Sequence, residues 1–495
     1  MKISSKSIYG IKACIHLCKS NELIGTDKLS EITDCPKIFL NKIMSELIEA
    51  GIVNSRKGPK GGYYIEEEGR SKTIKDIIQA LKEKTNEDEG SSEINVLLKY
   101  FNSILGLSIS TLSGTNDEIY LDLAATTPLD ERVLSAMLPY FGFQFGNANS
   151  VHGYGIKAGS ALDNARRCVA GIIHAEKGEI VFTSGGTEAN NWVIKGGANE
   201  IKKRNGKNKI IVSAFEHPSI LEPAKQMEQY GYTVQLVYPN KDGIIEEESL
   251  ESALKGNDVA LVSIMMANNE IGTIQDIKNL CRISHNYGAY FHTDAVQAIG
   301  TQTIDVKELG IDYLSFSAHK FYGPKGVGCL YIKAGAPIEP LIIGGAQERG
   351  KRGGTSNVPL AIGLAKALEL SRIDLEENSN RIESLRDYLQ NKILNLFPFS
   401  YANAAFSKRV PSCLSITFPG ERADALISIL DLKGIAVSAG SACSSGSIEP
   451  SHVLSAIGLS SEDAKSTIRF SLGRKTTATE IEKTIEVMRK VLLRD

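Results

Sequence analysis

At 495 residues, 42% of them apolar, the chain is too long for one ordinary core and has enough apolar side chains to fill two or three. A formal charge of -2, from 56 basic against 58 acidic residues, excludes a chain that is polybasic throughout, and no apolar run approaches the roughly 20 residues that span a bilayer. Eight scattered cysteines without a CxxC pair suit a reducing compartment, and MKISSKSIYGIKACIH lacks the apolar block of a secretory leader, so a cytoplasmic protein is expected.

Composition breaks at KEKTNEDEGSSE (82–93) and SGTNDE (113–118) mark off a small front part, a bridging segment and a large body. The front is mildly basic. TDKLSEITD (26–34) predicts a short capped helix, and PKIFLNKIMSELIEAG (36–51) a second one with apolar spacing and a terminal glycine. IVNSRKGPKGGYYI (52–65) predicts two β-prone arms around a basic glycine turn. A basic hairpin standing alone reads as a solvated turn. Behind two helices it reads as the wing of an α-rich winged helix-turn-helix. The second helix, carrying Lys37 and Asn41, would enter the major groove of double-stranded DNA, and Arg56, Lys57 and Lys60 would meet phosphates. The same fold can instead serve dimerisation or protein docking.

MKISSKSIYGIKACIHL, the helix pair and RKGPKGGYYI together resemble the Rrf2-type transcriptional regulators, over residues 1–112. The resemblance implies that INVLLKYFNSILGLSIS (94–110) is a long dimerising helix, with 113–118 left as linker. Cluster-binding members carry three cysteines just before that helix, and residues 82–112 contain none, so no iron-sulfur cluster is expected there. Cys14, His16 and Cys18 are alternative ligands only in name. Cys14 and Cys18 fall one helical turn apart on a face that reads as core, and no metal is expected.

From residue 119 onward the β-branched runs EIVFTS, KIIVSAF, ALVSIMM, AYFHTD and YLSFS alternate with helical spacing, as in PSILEPAKQMEQYG. This predicts an α/β fold with a largely parallel sheet covered on both faces. Ligands of such sheets bind beyond the carboxyl ends of the strands. There the sequence places Gly185, Gly186 and Thr187, then His217, Asn269, Asp294 with Gln297, and Ser317, His319 and Lys320. Any one of these alone reads as a cap or surface group, but together they supply a phosphate cradle, a buried acid and a lysine. Pyridoxal phosphate needs that set. Lys320 would capture the aldehyde as a Schiff base, Asp294 would keep the ring nitrogen protonated, and His217 would stack on the ring. Asn269 and Gln297 would bond the phenolic oxygen, while Gly186, Thr187, Ser317 and His319 would hold the phosphate. GPKGVG (323–328) lacks the GxxxxGK[ST] pattern of a nucleotide loop.

SAGSACSSGSIEP (438–450) sets Cys443 among Ser and Gly, which suits either an exposed reagent or a plain linker. Cys168, Cys281, Cys329 and Cys413 sit in apolar or amphipathic contexts and read as core. The stretches YLDLAATTPLDERV, TSGGTEANN, FEHPSI, ANNEIGTIQ, HTDAVQ, FSAHKFYGPKGVG, ERGKRGGTSN, SAGSACSSGSIEPSHVL and RFSLGRKTT follow in order the motifs of the NifS/IscS-type cysteine desulfurases. The resemblance spans residues 119–495. It implies the type I pyridoxal-phosphate transferase fold, a large cofactor domain at about 137–375, and a smaller α+β domain from about 119–136 and 376–495. It further implies a homodimer that takes sulfur from L-cysteine, leaves L-alanine, and passes a Cys443 persulfide to an acceptor protein such as an iron-sulfur scaffold. Lys320, Asp294 and His217 keep the roles above; Thr355 would reach the phosphate of the neighbouring subunit, and Arg474 would grip the substrate carboxylate. Leu123 departs from the polar or aromatic residues usual at its position. A selenocysteine lyase or an aminotransferase-like enzyme is the other expectation, and the latter would have no use for Cys443.

Overall fold

A computed structural model describes residues 5–20, 23–58, 61–81, 118–256, 258–373, 375–439 and 450–493. Cys443, Lys60, the expected dimerising helix and all of the expected linker except Glu118 lie outside these residues. The chain divides into two compact units, Met1–Glu118 and Ile119–Asp495.

In the first unit, helices Ser5–Lys19, Thr26–Thr33, Lys37–Glu49 and Ile74–Ala80 enclose a core of Ala13, Cys14, Leu17, Leu29, Leu40, Ile43, Met44, Leu47 and Ile77. Cys14 and Cys18 are buried in it. The helix Thr26–Thr33 is capped at its end, where Asp34, at φ 55°, donates to Glu31 O at 3.3 Å, whereas Gly25 at its start offers no side-chain cap. The helix Lys37–Glu49 stops where the sequence says it should. Gly51, at φ 67°, donates to Ile48 O at 3.0 Å, and Ile52 donates to Leu47 O at 2.9 Å, which is a Schellman closure. Strands β1 (Asn54–Arg56) and β2 (Gly62–Tyr64) pair antiparallel, and Ile24 adds a bridge to Tyr63. Gly62 is needed at that bridge, because a Cβ there would lie 2.6 Å from Ile24 O.

In the second unit, strand β3 (Ile119–Tyr120) is followed by β4 (Ile180–Thr183), β5 (Lys209–Ser213), β6 (Thr233–Val237), β7 (Val259–Ser263), β8 (Tyr290–Asp294), β9 (Tyr313–Ser317) and β10 (Gly328–Ile332). All but β3 form one sheet in the order β4-β10-β9-β8-β7-β5-β6, parallel except for β10. Its strands are continuous apolar runs because both faces are covered. Val181, Ile210, Val212 and Leu330 enter one core, while Ile180, Phe182, Ile211, Cys329 and Tyr331 enter the other. The strand order reverses between β5 and β7, so a ligand crevice is expected at their carboxyl ends.

The remaining strands are β11 (Tyr401–Ala402), β12 (Cys413–Thr417), β13 (Ile435–Ala436) and β14 (Thr467–Ser471). Strands β11, β12 and β14 form an antiparallel sheet, and β13 pairs in parallel with β3. A separate core of Ile119, Leu121, Leu389, Phe397, Leu414, Phe418, Phe470 and Met488 sits beneath them, so the start of the body folds with its end. Val133 and Met137, from the helix Glu131–Phe141, join the core of the large sheet, as do Val453 and Leu454. No helix among the described residues is long and apolar enough to cross a membrane.

Candidate active site

The polar residues singled out in the sequence gather beyond β5, β7, β8 and β9. Asp294 ends β8 and is buried; its Oδ2 accepts from Asn190 Nδ2 at 2.7 Å and its Oδ1 from Val296 N at 2.8 Å. Burial pushes its pKa up, against the pull of those two donors and of the His217 and Lys320 charges. Both donors are neutral, so a cation placed before this carboxylate would complete it. Asn190 Nδ2 also donates to Ser219 Oγ at 2.9 Å, and Ser219 Oγ lies 2.8 Å from His217 Nδ1. His217 caps the helix Pro218–Met227, its Nδ1 accepting from Ser219 N at 3.1 Å. Burial lowers the His217 pKa, so a neutral imidazole with its proton on Nε2 faces the site.

Lys320 follows β9 on a single 3-10 turn, and its Nζ donates to Ala124 O at 2.7 Å and Ala125 O at 2.8 Å. Gln297 Nε2 donates to the same Ala124 O at 3.0 Å. The LAATTP turn at the head of the small domain therefore positions two residues expected from the large domain's loops. Burial lowers the His319 pKa to about 4, with Lys320 and Lys325 adding to the fall; its Nδ1 meets Thr126 Oγ1 at 3.2 Å. Ser317 is buried, and its Oγ lies 3.8 Å from where a Cβ on Gly185 would sit. A Cβ on Gly186 would lie 2.8 Å from Val296 Cγ2, so backbone alone fits between β4 and the loop after β8. Thr187 is exposed at the start of the helix Gly186–Trp192.

Leu123, Gln297, Lys320, Tyr322 and Arg474 line one cleft between the two domains of the body. The Arg474 guanidinium stacks over the Tyr322 ring at 4.2 Å, and the Tyr322 hydroxyl accepts from Arg474 N at 2.8 Å. Leu123 packs where a Cβ on Gly473 would lie 2.4 Å from its Cδ1. Thr355 is exposed on a loop held by the buried Arg166–Glu348 pair, at 2.6 and 2.8 Å, and by Arg352, whose Nε lies 3.0 Å from Glu188. Asn269 Oδ1 is buried without a hydrogen-bond partner.

These features fit pyridoxal phosphate. A buried carboxylate bonded by neutral donors suits its ring nitrogen, a lysine at the cleft its aldehyde, and a side-chain-free glycine turn its phosphate. The class-V aminotransferase model matches residues 119–484, and a model described as an iron-dependent transcriptional regulator, Rrf2, matches residues 3–96. A cysteine desulfurase IscS of Dictyoglomus turgidum is 45% identical over 76% of this chain and 94% of its own length. The chain belongs to the cysteine desulfurases of the class-V aminotransferase family. A second desulfurase, from Methanosarcina thermophila, is 43% identical over 77% of this chain and 93% of itself. A solved NifS-like protein is 39% identical, with a TM-score of 0.71 over 76% of this chain and 99% of its own. This desulfurase is preceded, in the same chain, by an Rrf2-type unit.

Sequence reasoning missed Asn190 and Ser219, although both stand inside quoted motifs, TSGGTEANN and FEHPSI. Polar side chains inside a helix carry no sign that they face inward. It also missed Arg469, which is buried on β14. Its Nη2 meets Asp122 Oδ1 at 2.7 Å, its Nη1 meets Asn269 O at 2.7 Å, and its backbone pairs with Ser438. Ser438 and Ala439 are the last described residues before Cys443. On the far side, Ser451 Oγ donates to Glu270 at 2.5 Å and His452 Nε2 lies 2.8 Å from Glu216 O, next to His217. In the first unit Lys37 is ion-paired to Asp27, while Arg56 and Lys57 are exposed. Cys281, Cys329 and Cys413 are buried, and Cys168 is half-buried.

Proposed function

We propose that the chain is a cytoplasmic, homodimeric L-cysteine desulfurase whose persulfide forms on Cys443 and passes to an acceptor protein such as an iron-sulfur scaffold, with a DNA-binding regulator at its front. The observation that carries the enzymatic reading is Lys320 held at a cleft shared with Arg474, its charge felt by the buried Asp294 carboxylate, which neutral donors bond. Lys320 would hold pyridoxal phosphate, with Asp294 at the ring nitrogen, His217 over the ring, Asn269 and Gln297 at the phenolic oxygen, and Gly186, Thr187, Ser317, His319 and the partner copy's equivalent of Thr355 at the phosphate. Bound there, the group supplies an electron sink for the substrate carbon.

Arg474 binds the substrate carboxylate, and its stacking on Tyr322 fixes the guanidinium plane. Lys320 moves the proton at the substrate Cα. The Cys443 thiolate attacks the substrate sulfur, the carbon-sulfur bond breaks with its electron pair left on carbon, and carbon takes a proton. One L-cysteine and one thiol give one L-alanine and one persulfide, with no outside oxidant. The seven described cysteines are free thiols, which suits a reducing cytoplasm. Phe141, Phe143, Phe145 and Val151 are exposed apolar side chains, Phe145 at 69% and Val151 at 92%, and a second copy would cover them.

The test is sulfide release from L-cysteine beside Lys320→Ala and Cys443→Ala. Cys443→Ala is expected to stay yellow with bound cofactor and release no sulfide, whereas undiminished sulfide would overturn the assignment. For the front unit, salt-dependent retention on duplex DNA is expected to fall when Arg56, Lys57 and Lys60 are neutralised. Unchanged retention would remove the wing from the interface.

A further inference from the structure

The helix Lys37–Glu49 has two unlike faces. Leu40, Ile43, Met44 and Leu47 enter the core, whereas Lys37, Ile38, Asn41, Lys42 and Ser45 are exposed on the opposite side. Ile38 is 90% exposed, an apolar side chain that the unit does not pack. Asn41 is not loose: the Tyr63 hydroxyl, on the wing strand β2, donates to its Oδ1 at 3.3 Å. That bond fixes which way the carboxamide points, leaving Nδ2 directed away from the wing and a second lone pair on Oδ1.

An oriented asparagine amide can accept from adenine N6 and donate to adenine N7, and an exposed aliphatic group fits the thymine methyl. Ile38 precedes Asn41 by three residues, about 4.5 Å along the helix axis, close to the rise of one base-pair step of about 3.4 Å. We propose that the front unit reads an A·T-containing step in the major groove, Asn41 on adenine and Ile38 on the methyl of a neighbouring thymine, with Tyr63 as the positioning residue for Asn41. This rests on the reading of that unit as a binder of duplex DNA. Lys42, Arg56 and Lys57 then flank the bases as phosphate contacts, whereas Lys37 is engaged by Asp27.

The experiment uses the full-length, cofactor-loaded protein and a pool of duplexes with a random core. The enriched duplex is then remade with 7-deazaadenine for adenine or uracil for thymine, one position at a time. Wild type is expected to lose about 2- to 12-fold in affinity at one adenine on removal of N7, the range of one of the two bonds of that contact. Removal of one neighbouring thymine methyl should cost a smaller factor. Asn41→Ala should bind the adenine and 7-deazaadenine duplexes alike, and Ile38→Ala should be indifferent to the methyl. Tyr63→Phe should shrink the N7 effect while keeping the salt dependence that phosphate contacts give, which a merely structural role would not do. Sequence-selective binding with no enriched A·T step, or an N7 effect that survives Asn41→Ala, overturns this assignment and leaves DNA binding intact. Absence of salt-dependent retention on any duplex overturns both.

Discussion

Replacing Glu216 by Gln probes the electrostatics beneath the cofactor crevice. Glu216 is fully buried; its Oε1 accepts from Ser213 Oγ at 2.5 Å and Met265 N at 2.6 Å, and its Oε2 is buried without a hydrogen-bond partner. Burial pushes its carboxyl up from 4.5 to about 8, with the Asp294 charge adding to the rise and the two hydrogen bonds opposing it. Between those values the native chain keeps a proton that the unfolded chain has released. Stability from this group is therefore complete below about pH 4.5, falls as pH rises, and levels off above about pH 8. At about 1.4 kcal/mol per pH unit, the whole fall has a ceiling of about 5 kcal/mol. Gln keeps the acceptor for Ser213 and Met265 and carries no charge, and the unmatched donor it adds costs the same at every pH. Urea denaturation between about pH 6 and pH 8, followed by the fluorescence of Trp192, reads the difference. Trp192 is the chain's one tryptophan, buried in the desulfurase body. Wild type should lose about 2 to 3 kcal/mol relative to Glu216→Gln across that window. Profiles that stay parallel would refute the reasoning.

Asn190→Ala removes the donor shared by Asp294 and Ser219. A hydrogen bond to a buried carboxylate contributes about 1.5 to 3 kcal/mol, so pyridoxal phosphate affinity, read by absorbance titration, should fall about 10- to 100-fold, and an unchanged affinity would contradict the role given to Asp294. Arg474→Ala should raise KM for L-cysteine about 10-fold or more while cofactor absorbance is retained, and Arg474→Lys should recover only part, because a lysine cannot offer the two parallel donors of a guanidinium. A KM unmoved by both would place the substrate carboxylate elsewhere.

The sequence carried the parallel sheet because each strand is a run of apolar residues bounded by polar ones, and both faces of the sheet are buried. It singled out Asp294, His217 and Lys320 because each stands at the end of such a run or within four residues of it. The Asn190–Ser219 link and the Arg469 hub were not legible, since they join residues 29 and 200 positions apart and only the folded chain brings them together. The pairing of β3 with β13 is of the same kind, joining Ile119 to Ile435 across the body. The helix Lys37–Glu49 was legible at its end, where Gly51 closes it, whereas the start of Thr26–Thr33 was not, because Gly25 offers no side chain to cap it.

The most direct test of the central claim is the mass of the peptide carrying Cys443 after the holoenzyme has met L-cysteine without reductant or acceptor. The account predicts the gain of one sulfur atom on that peptide, with one L-alanine formed per sulfur, and neither product from Lys320→Ala. Alanine formed with the added sulfur on another cysteine, or with none on the protein, would contradict it.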